Sequence, residues 1–354
     1  MIFKASSILD AINSQTPPLW LQTYTHLFGN QFATKDIQIP GRYGSIPARI
    51  YTPLNDPHAP VIVFVHGMAP TGYRDPIMTS LAASMAKIGL QVITPDIRSE
   101  RQLLVSFSAI SDIDEVARWA AMKNKQQVSL MGVSFSGGLV IAAAAQPGYA
   151  HYVKTVLCVS GYNDIHRFSE YYIRHGEVGP DNRPDSAKPP PDGPLMLAIQ
   201  HLGEMVPADD EAAIRKVTLD YLRKQPEKER QDLVQLTPAQ RKLFIDLQTL
   251  DTPEIRQKYA ALVERHKTEL AAISPHSGMG GLKASLFLVH GQYDDTIPVS
   301  EAEWNVHDAP KTVPVHLFVS PLMHHVVLDE HTHPLQKLEL ANYVATMLST
   351  AGLD

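Results

Sequence analysis

The chain has very little cysteine. Cys158 is the single one in 354 residues, so an intrachain disulfide is impossible. It sits in the apolar run VLCVS, where a thiol packs as a small core residue, and a reducing cytoplasm is the expected setting. Long hydrophobic runs are also missing. The most apolar stretches, Val61 to Val65 and Leu139 to Ala145, fall far short of the roughly 20 residues a spanning helix needs. The opening MIFKASSILDAINSQ places polar residues and an Asp where a secretory signal keeps an unbroken apolar centre, so no export signal is expected. Nor is there an excess of positive charge. With 31 Lys and Arg against 37 Asp and Glu, the net charge of −6 offers no basic field for a nucleic acid or an anionic membrane surface. Internal repeats are absent, and no H-E-x-x-H or cysteine-rich spacing marks a metal site. The histidines at 324, 325, 331 and 333 read as solvated loop residues rather than as a metal cluster.

What is present describes a globular protein: 44% hydrophobic and 19% charged residues, with 27 prolines pointing to an irregular segment. The length suggests one large core carrying an insertion. Two alternating runs around Gly41 to Gly44 read as an antiparallel hairpin. From there strand-length apolar runs at 61 to 67, 90 to 96, 127 to 132 and 154 to 161 alternate with helical stretches near Ile77 to Ile88, near Ser111 to Met122 and from Phe135. Runs without period-two polarity, separated by helices, imply a parallel sheet covered on both faces, and so an α/β fold class. The rhythm stops after Gly161 and resumes with runs at 284 to 291 and 313 to 320 and helices near 300 to 306 and 335 to 348. A gap of about 120 residues is too long for a connection. The expected division is therefore a core of residues 1–161 and 283–354 with a helical cap at 162–282.

In an open α/β sheet the ligand site lies at the carboxyl ends of the strands. The polar residues found there are His66, Asp96, Ser134, Asn163 and Asp164, Asp294 and Asp295, and His324 and His325. A hydroxyl, a carboxylate and an imidazole thus follow in chain order. Ser134 stands at the joint of LMGVSFSGGLVIAAA, where a strand turns sharply into an Ala-rich helix. Such a turn exposes Oγ at the top of the sheet and aims the N–H of Phe135 and the positive helix end at a developing oxyanion. The bland alternative is that Ser134 only N-caps the helix.

The block G-V-S-F-S-G-G resembles the nucleophile elbow of the α/β-hydrolase superfamily, with Ser136 where a second Gly usually stands. LFLVHGQYDDTIP resembles the acid turn of that superfamily and selects Asp294, leaving Asp295 as a turn or cap residue and Asp164 as a second location for the acid. SPLMHHVVLDEHTHP resembles its histidine loop. His324 matches the usual register, with Leu328 and Asp329 following, and His325 is the alternative. VIVFVHGMAPTGYRDP resembles the oxyanion loop, in which Met68 donates its backbone N–H, His66 braces the loop and Asp96 is structural.

The resemblance covers about 36 to 161 and 283 to 352, and implies an α/β-hydrolase fold and a serine hydrolase. Ser134, Asp294 and His324 would form the catalytic triad, with Met68 and Phe135 as the oxyanion hole, and no cofactor would be required. A serine at 134 disfavours the relatives that use an Asp or Cys nucleophile. The expected activity is carboxylic ester hydrolysis through an acyl-enzyme on a small or medium acyl ester. Other acyl hydrolases or transferases (thioesterase, peptidase, acyltransferase) and a catalytically silent binding protein are the alternatives. The expected partner is a small-molecule ester; a homodimer through an edge strand or the cap is compatible with the sequence. Phe168, Tyr171 and Tyr172 line an acyl pocket or simply pack, Leu195, Met196 and Leu202 form cap core, and the loop from Gly179 to Pro194 gates access or merely connects.

Overall fold

The computed structural model describes residues 4–6, 29–174, 176–182, 184–185, 189–328 and 334–353. Its centre is an eight-stranded sheet of β1 (Phe32–Gly41), β2 (Gly44–Pro53), β3 (Val61–Val65), β4 (Gln91–Pro95), β5 (Val128–Val133), β6 (Val153–Val159), β7 (Ser285–Gly291) and β8 (Val315–Ser320). The spatial order is β1-β2-β4-β3-β5-β6-β7-β8. β1 and β2 form the expected hairpin, pairing Gly41 with Gly44, and β2 runs antiparallel to β4; all other neighbours are parallel. β3 is buried at every position, as a parallel strand covered on both faces must be.

Helices α1 (Pro76–Lys87), α2 (Phe107–Asn124) and α3 (Phe135–Ala144) follow β3, β4 and β5. Proline opens α1 at its first turn, where no N–H is needed, and the Asp75 carboxylate accepts from the Ile77 N–H at 2.9 Å. Ser106 caps α2 in the same manner. Two apolar clusters fill the two faces of the sheet. One joins α2, α3 and the inserted helices; the other joins α1 to the C-terminal helix. α3 is buried along its whole length, which explains why its sequence is almost entirely apolar or small.

Between β6 and β7 the chain builds α4 (Ile165–Arg174), α5 (Asp192–Ala198), α6 (Ala208–Leu222), α7 (Pro226–Gln235), α8 (Pro238–Thr249) and α9 (Pro253–Arg265). Pro at the first turn recurs in α7, α8 and α9, and α8 carries a reciprocal capping box between Thr237 and Gln240. The long helical pattern from Thr252 to Ile273 breaks at His266 into α9 and a short helix, Lys267–Ala272. α10 (Val299–Asp308) and α11 (Pro334–Thr350) complete the core. Observed elements match the sequence pattern to within a few residues. Among the described residues no helix is long and apolar enough to cross a membrane.

Candidate active site

Ser134 lies between β5 and α3 with φ 56° and ψ −134°, a conformation that costs a non-glycine residue about 1–3 kcal/mol. Close approach of strand and helix enforces the turn. A Cβ on Gly132 would lie 2.2 Å from the carbonyl oxygen of Ser136, and one on Gly137 would lie 2.9 Å from both Cys158 Sγ and the Gly161 Cα. The Ser134 side chain makes no capping bond to its own helix, so the bland N-cap reading does not hold. Its Oγ lies 2.8 Å from Nε2 of His325.

His325, and not His324, occupies the position between hydroxyl and acid. Its Nδ1 is 2.9 Å from Oδ2 and 3.1 Å from Oδ1 of Asp294. The expectation of His324 from its spacing to Leu328 and Asp329 is corrected by local backbone geometry. Met323 and His324 form a two-residue strand paired with Val327 and Leu328, so successive side chains point to opposite sides. His324 is exposed and stacks on Tyr293, while His325, in the left-handed region at φ 53°, turns inward. Asp329 lies outside the described residues.

Asp294 is held as the sequence register selected. It is 1% exposed, and its Oδ1 accepts the N–H groups of Thr296 and Ile297, each at 3.0 Å. Burial alone would raise this carboxyl, but the His325 hydrogen bond, the neighbouring imidazoles and the Ile297 N–H together hold it below the ordinary carboxylate range. An ionised Asp294 can only accept, which makes His325 Nδ1 the donor and leaves Nε2 free to accept from Ser134. Asp164, the alternative location, caps α4 through the His166 N–H at 2.9 Å. Asp295 is an exposed turn residue.

Several supporting residues escaped sequence reasoning. Ser160, at φ 49°, donates from Oγ to the His325 carbonyl at 2.8 Å and so anchors the histidine loop to the end of β6. Gly291 lets that loop approach β7: its Cβ would lie 2.4 Å from the Met323 carbonyl oxygen. His290 donates from Nε2 to the Ile297 carbonyl at 2.8 Å and closes the acid turn. Tyr171 and Tyr172 of α4 donate to the carbonyls of Asp295 at 2.8 Å and Thr296 at 3.3 Å, tying the inserted helices to the same turn. The available signal was a small or polar residue at each strand end, but nothing in the sequence pairs residues this far apart.

On the other side of Ser134, His66 is a brace. Its Nε2 accepts the Ile97 N–H at 3.1 Å and its Nδ1 donates to the Gly67 carbonyl at 2.8 Å. Ser136 donates from Oγ to the His66 carbonyl and lies 3.2 Å from Glu100 Oε2. This bond gives Ser136 a reason to replace the second Gly of the motif. Glu100 is fully buried, which pushes its carboxyl up to about 8. Asp96 accepts from Arg101 Nε at 3.2 Å and its N–H bonds the Pro47 carbonyl, as a loop brace would.

A cavity of about 230 Å³ opens above Ser134 and His325. Met68 and Phe135 line it beside Ser134, and Ile165, Phe168, Tyr172, Met196, Leu197, Leu222, Tyr259 and Ile297 form most of its apolar wall. Phe168 and Tyr172 therefore face the pocket, whereas Tyr171 serves the acid turn. Leu195 and Leu202 are wholly buried, in keeping with cap core, while Met196 departs from that expectation by reaching the cavity. Asp192 and Gly193 bring the end of the Pro-rich loop to the rim; residues 183 and 186–188 of that loop lie outside the described residues.

Comparison with known proteins bears on this arrangement. A family model described as X-Pro dipeptidyl-peptidase (S15 family) matches residues 44–326. No curated protein sequence matches. Among solved structures, an acylaminoacyl peptidase of Pyrococcus horikoshii is similar at 14% identity and a TM-score of 0.51, covering 93% of this chain and 43% of that one. An esterase of Pyrococcus furiosus is similar at 14% identity and a TM-score of 0.51, covering 95% and 96% of the two chains. An esterase of Pyrobaculum calidifontis is similar at 17% identity and a TM-score of 0.51, covering 99% and 89%. At these identities the likeness speaks for the fold, which is that of the α/β-hydrolases, and the chain spans less than half the length of the acylaminoacyl peptidase.

Proposed function

We propose, from the premise that this chain belongs to the X-Pro dipeptidyl-peptidase (S15) family of serine hydrolases, that it is a carboxylic ester hydrolase acting on small and medium acyl esters. The observation that carries the reading is the His325 ring bridging Ser134 and Asp294 beneath an apolar cavity. In this mechanism His325 Nε2 takes the Ser134 proton as Oγ attacks the acyl carbonyl. Asp294 fixes the Nδ1–H tautomer and stabilises the imidazolium that forms. The N–H groups of Met68 and Phe135 receive the oxyanion, helped by the positive end of α3. His325 then protonates the leaving alcohol, and water activated by the same nitrogen releases the acyl group. No cofactor enters these steps. The inserted helices, residues 162 to 282, act as a cap that shapes the acyl pocket.

A volume of about 230 Å³ falls below the roughly 300–1,000 Å³ of pockets for drug-sized ligands, which supports short and medium acyl chains. Peptide cleavage is the second reading, favoured by the family match. A pocket that recognised a free amino terminus would need an available carboxylate, but Asp192, the acidic residue on its wall, is engaged by Lys224 Nζ at 2.8 Å. The two readings separate in one assay: p-nitrophenyl esters from acetate to palmitate against dipeptidyl p-nitroanilides ending in proline. Turnover of the short esters, with little on palmitate or the anilides, is the expected outcome. Faster turnover of the anilides would replace the ester reading with a peptidase.

A further inference from the structure

Outside the active site, His201, Glu204 and His266 come together where two of the inserted helices meet, their ligand atoms all within 4.8 Å of one another. His266 Nε2 is 2.9 Å and His201 Nδ1 3.5 Å from the same oxygen, Glu204 Oε1. The imidazole rings stack with centroids 3.6 Å apart and planes at 27°, so ligation of one ion requires the two rings to swing apart until their nitrogens converge on it. Donor atoms around a tetrahedral zinc ion, with bonds of about 2.0–2.1 Å, stand roughly 3.3 Å apart, and the two separations bracket that spacing. The flanking groups follow the usual pattern around ligands of a metal. Glu269 Oε2 lies 3.5 Å from His266 Nδ1, the nitrogen turned away from the cluster, an ion-pair separation from which its charge favours the Nδ1–H tautomer. Arg265 takes the other Glu204 oxygen, Oε2, so that Oε1 is the oxygen facing the two histidines and the one placed for single-point ligation. All three side chains are partly shielded, at 16%, 30% and 20% exposure, which leaves a side open for a water ligand.

The geometry points to a zinc-binding site formed by His201 Nδ1, Glu204 Oε1 and His266 Nε2, with water completing a tetrahedral shell. Two imidazoles and one carboxylate suit Zn²⁺ and its transition-metal neighbours, and are a poor set for Ca²⁺ or Mg²⁺, which take oxygen ligands. The role follows from position. His201 ends the segment that carries Met196 and Leu197, and His266 directly follows α9, which carries Tyr259; all three residues line the cavity. An ion here clamps together two walls of the pocket, at the point where the long helical pattern breaks.

The site is tested by titrating tag-free, metal-stripped full-length protein with Zn²⁺ by calorimetry, with Mg²⁺ as the contrasting ion and thermal melting as a second readout. One Zn²⁺ per chain, a higher melting temperature with Zn²⁺ and no response to Mg²⁺ are expected. His201→Ala and His266→Ala should each weaken binding by at least about 100-fold, and Glu269→Gln by about 10-fold to 100-fold. The last substitution leaves all three ligands in place and alters only the group beside His266, so it remains informative should a histidine variant fail to fold. His307→Ala, in the exposed His276–Asp308–His307 group, should bind as the parent does. Absence of saturable Zn²⁺ binding would overturn the proposal and leave an imidazole–carboxylate ion pair. Binding that survives both histidine substitutions, or that is lost in His307→Ala, would equally overturn it.

Discussion

At the scale of single residues, the choice between adjacent histidines shows what spacing conveys and what it omits. The motif places a histidine in this loop, but which ring faces inward is set by a two-residue strand and by the left-handed backbone of His325. Periodicity along the chain cannot report either. His325→Ala should therefore lower kcat for a p-nitrophenyl ester by at least about 10³-fold with KM and melting temperature little changed, while His324→Ala should stay within about threefold. Steady-state kinetics on the two variants decides this, and the reverse ranking would restore His324. A second residue-scale prediction concerns Glu100. Its folded carboxyl, pushed up to about 8 by burial, is raised above the unfolded value of about 4.3. Between these values the folded protein holds a proton that the unfolded chain releases, so stability falls as pH rises, by on the order of 1.4 kcal/mol per unit, and levels off above pH 8. Glu100→Gln removes that dependence. Urea unfolding of both proteins from pH 5 to 8 should show the variant gaining on the parent at each step; a constant difference across the range would contradict the account.

At the scale of elements, the strand-to-helix joint was the most legible part of the chain, because its requirements are local. Gly132, Ser134 and Gly137 answer a close backbone approach within a few residues, and a sequence window contains all of it. Gly132→Ala should accordingly destabilise the protein and impair turnover together, since its methyl carbon would meet the Ser136 carbonyl at 2.2 Å and something must shift. A loss of about 1–3 kcal/mol in chemical denaturation, with a clear fall in kcat, is expected. Retention of both would mean that the joint is looser than this packing implies. The pocket wall was far less legible. Phe168, Tyr172, Met196 and Tyr259 lie on three separate helices, and helical periodicity states only that each is apolar and faces inward. Whether inward means cavity or packing depends on how those helices meet. Leu197→Trp, which fills the cavity, should reduce turnover of hexanoate esters more than of acetate, by about 10-fold or more. Equal loss on both would argue that Leu197 does not shape the acyl site.

At the scale of the whole molecule, strand and helix alternation was sufficient for the architecture. A parallel sheet buried on both faces writes near-continuous apolar runs; β3 is apolar throughout, and β5 and β6 are so from Leu130 and from Val156 onward. The antiparallel edge formed by β1 and β2 announced itself through its alternation and the Gly41 to Gly44 turn. The sequence was silent on long-range ties: Ser160 to the His325 carbonyl, and Tyr171 and Tyr172 to the acid turn. Each joins elements more than 120 residues apart, and no local rule can pair them. Through these ties the histidine loop, the acid turn and the inserted helices form one connected support around Ser134. The central claim is that this support makes Ser134 a nucleophile with His325 as its base. Fluorophosphonate labelling followed by intact-mass and peptide mapping tests it most directly. A single adduct on Ser134 in the parent and in His324→Ala, strongly slowed in His325→Ala and absent in Ser134→Ala, is the predicted result. An unlabelled parent, or label persisting in Ser134→Ala, would contradict it.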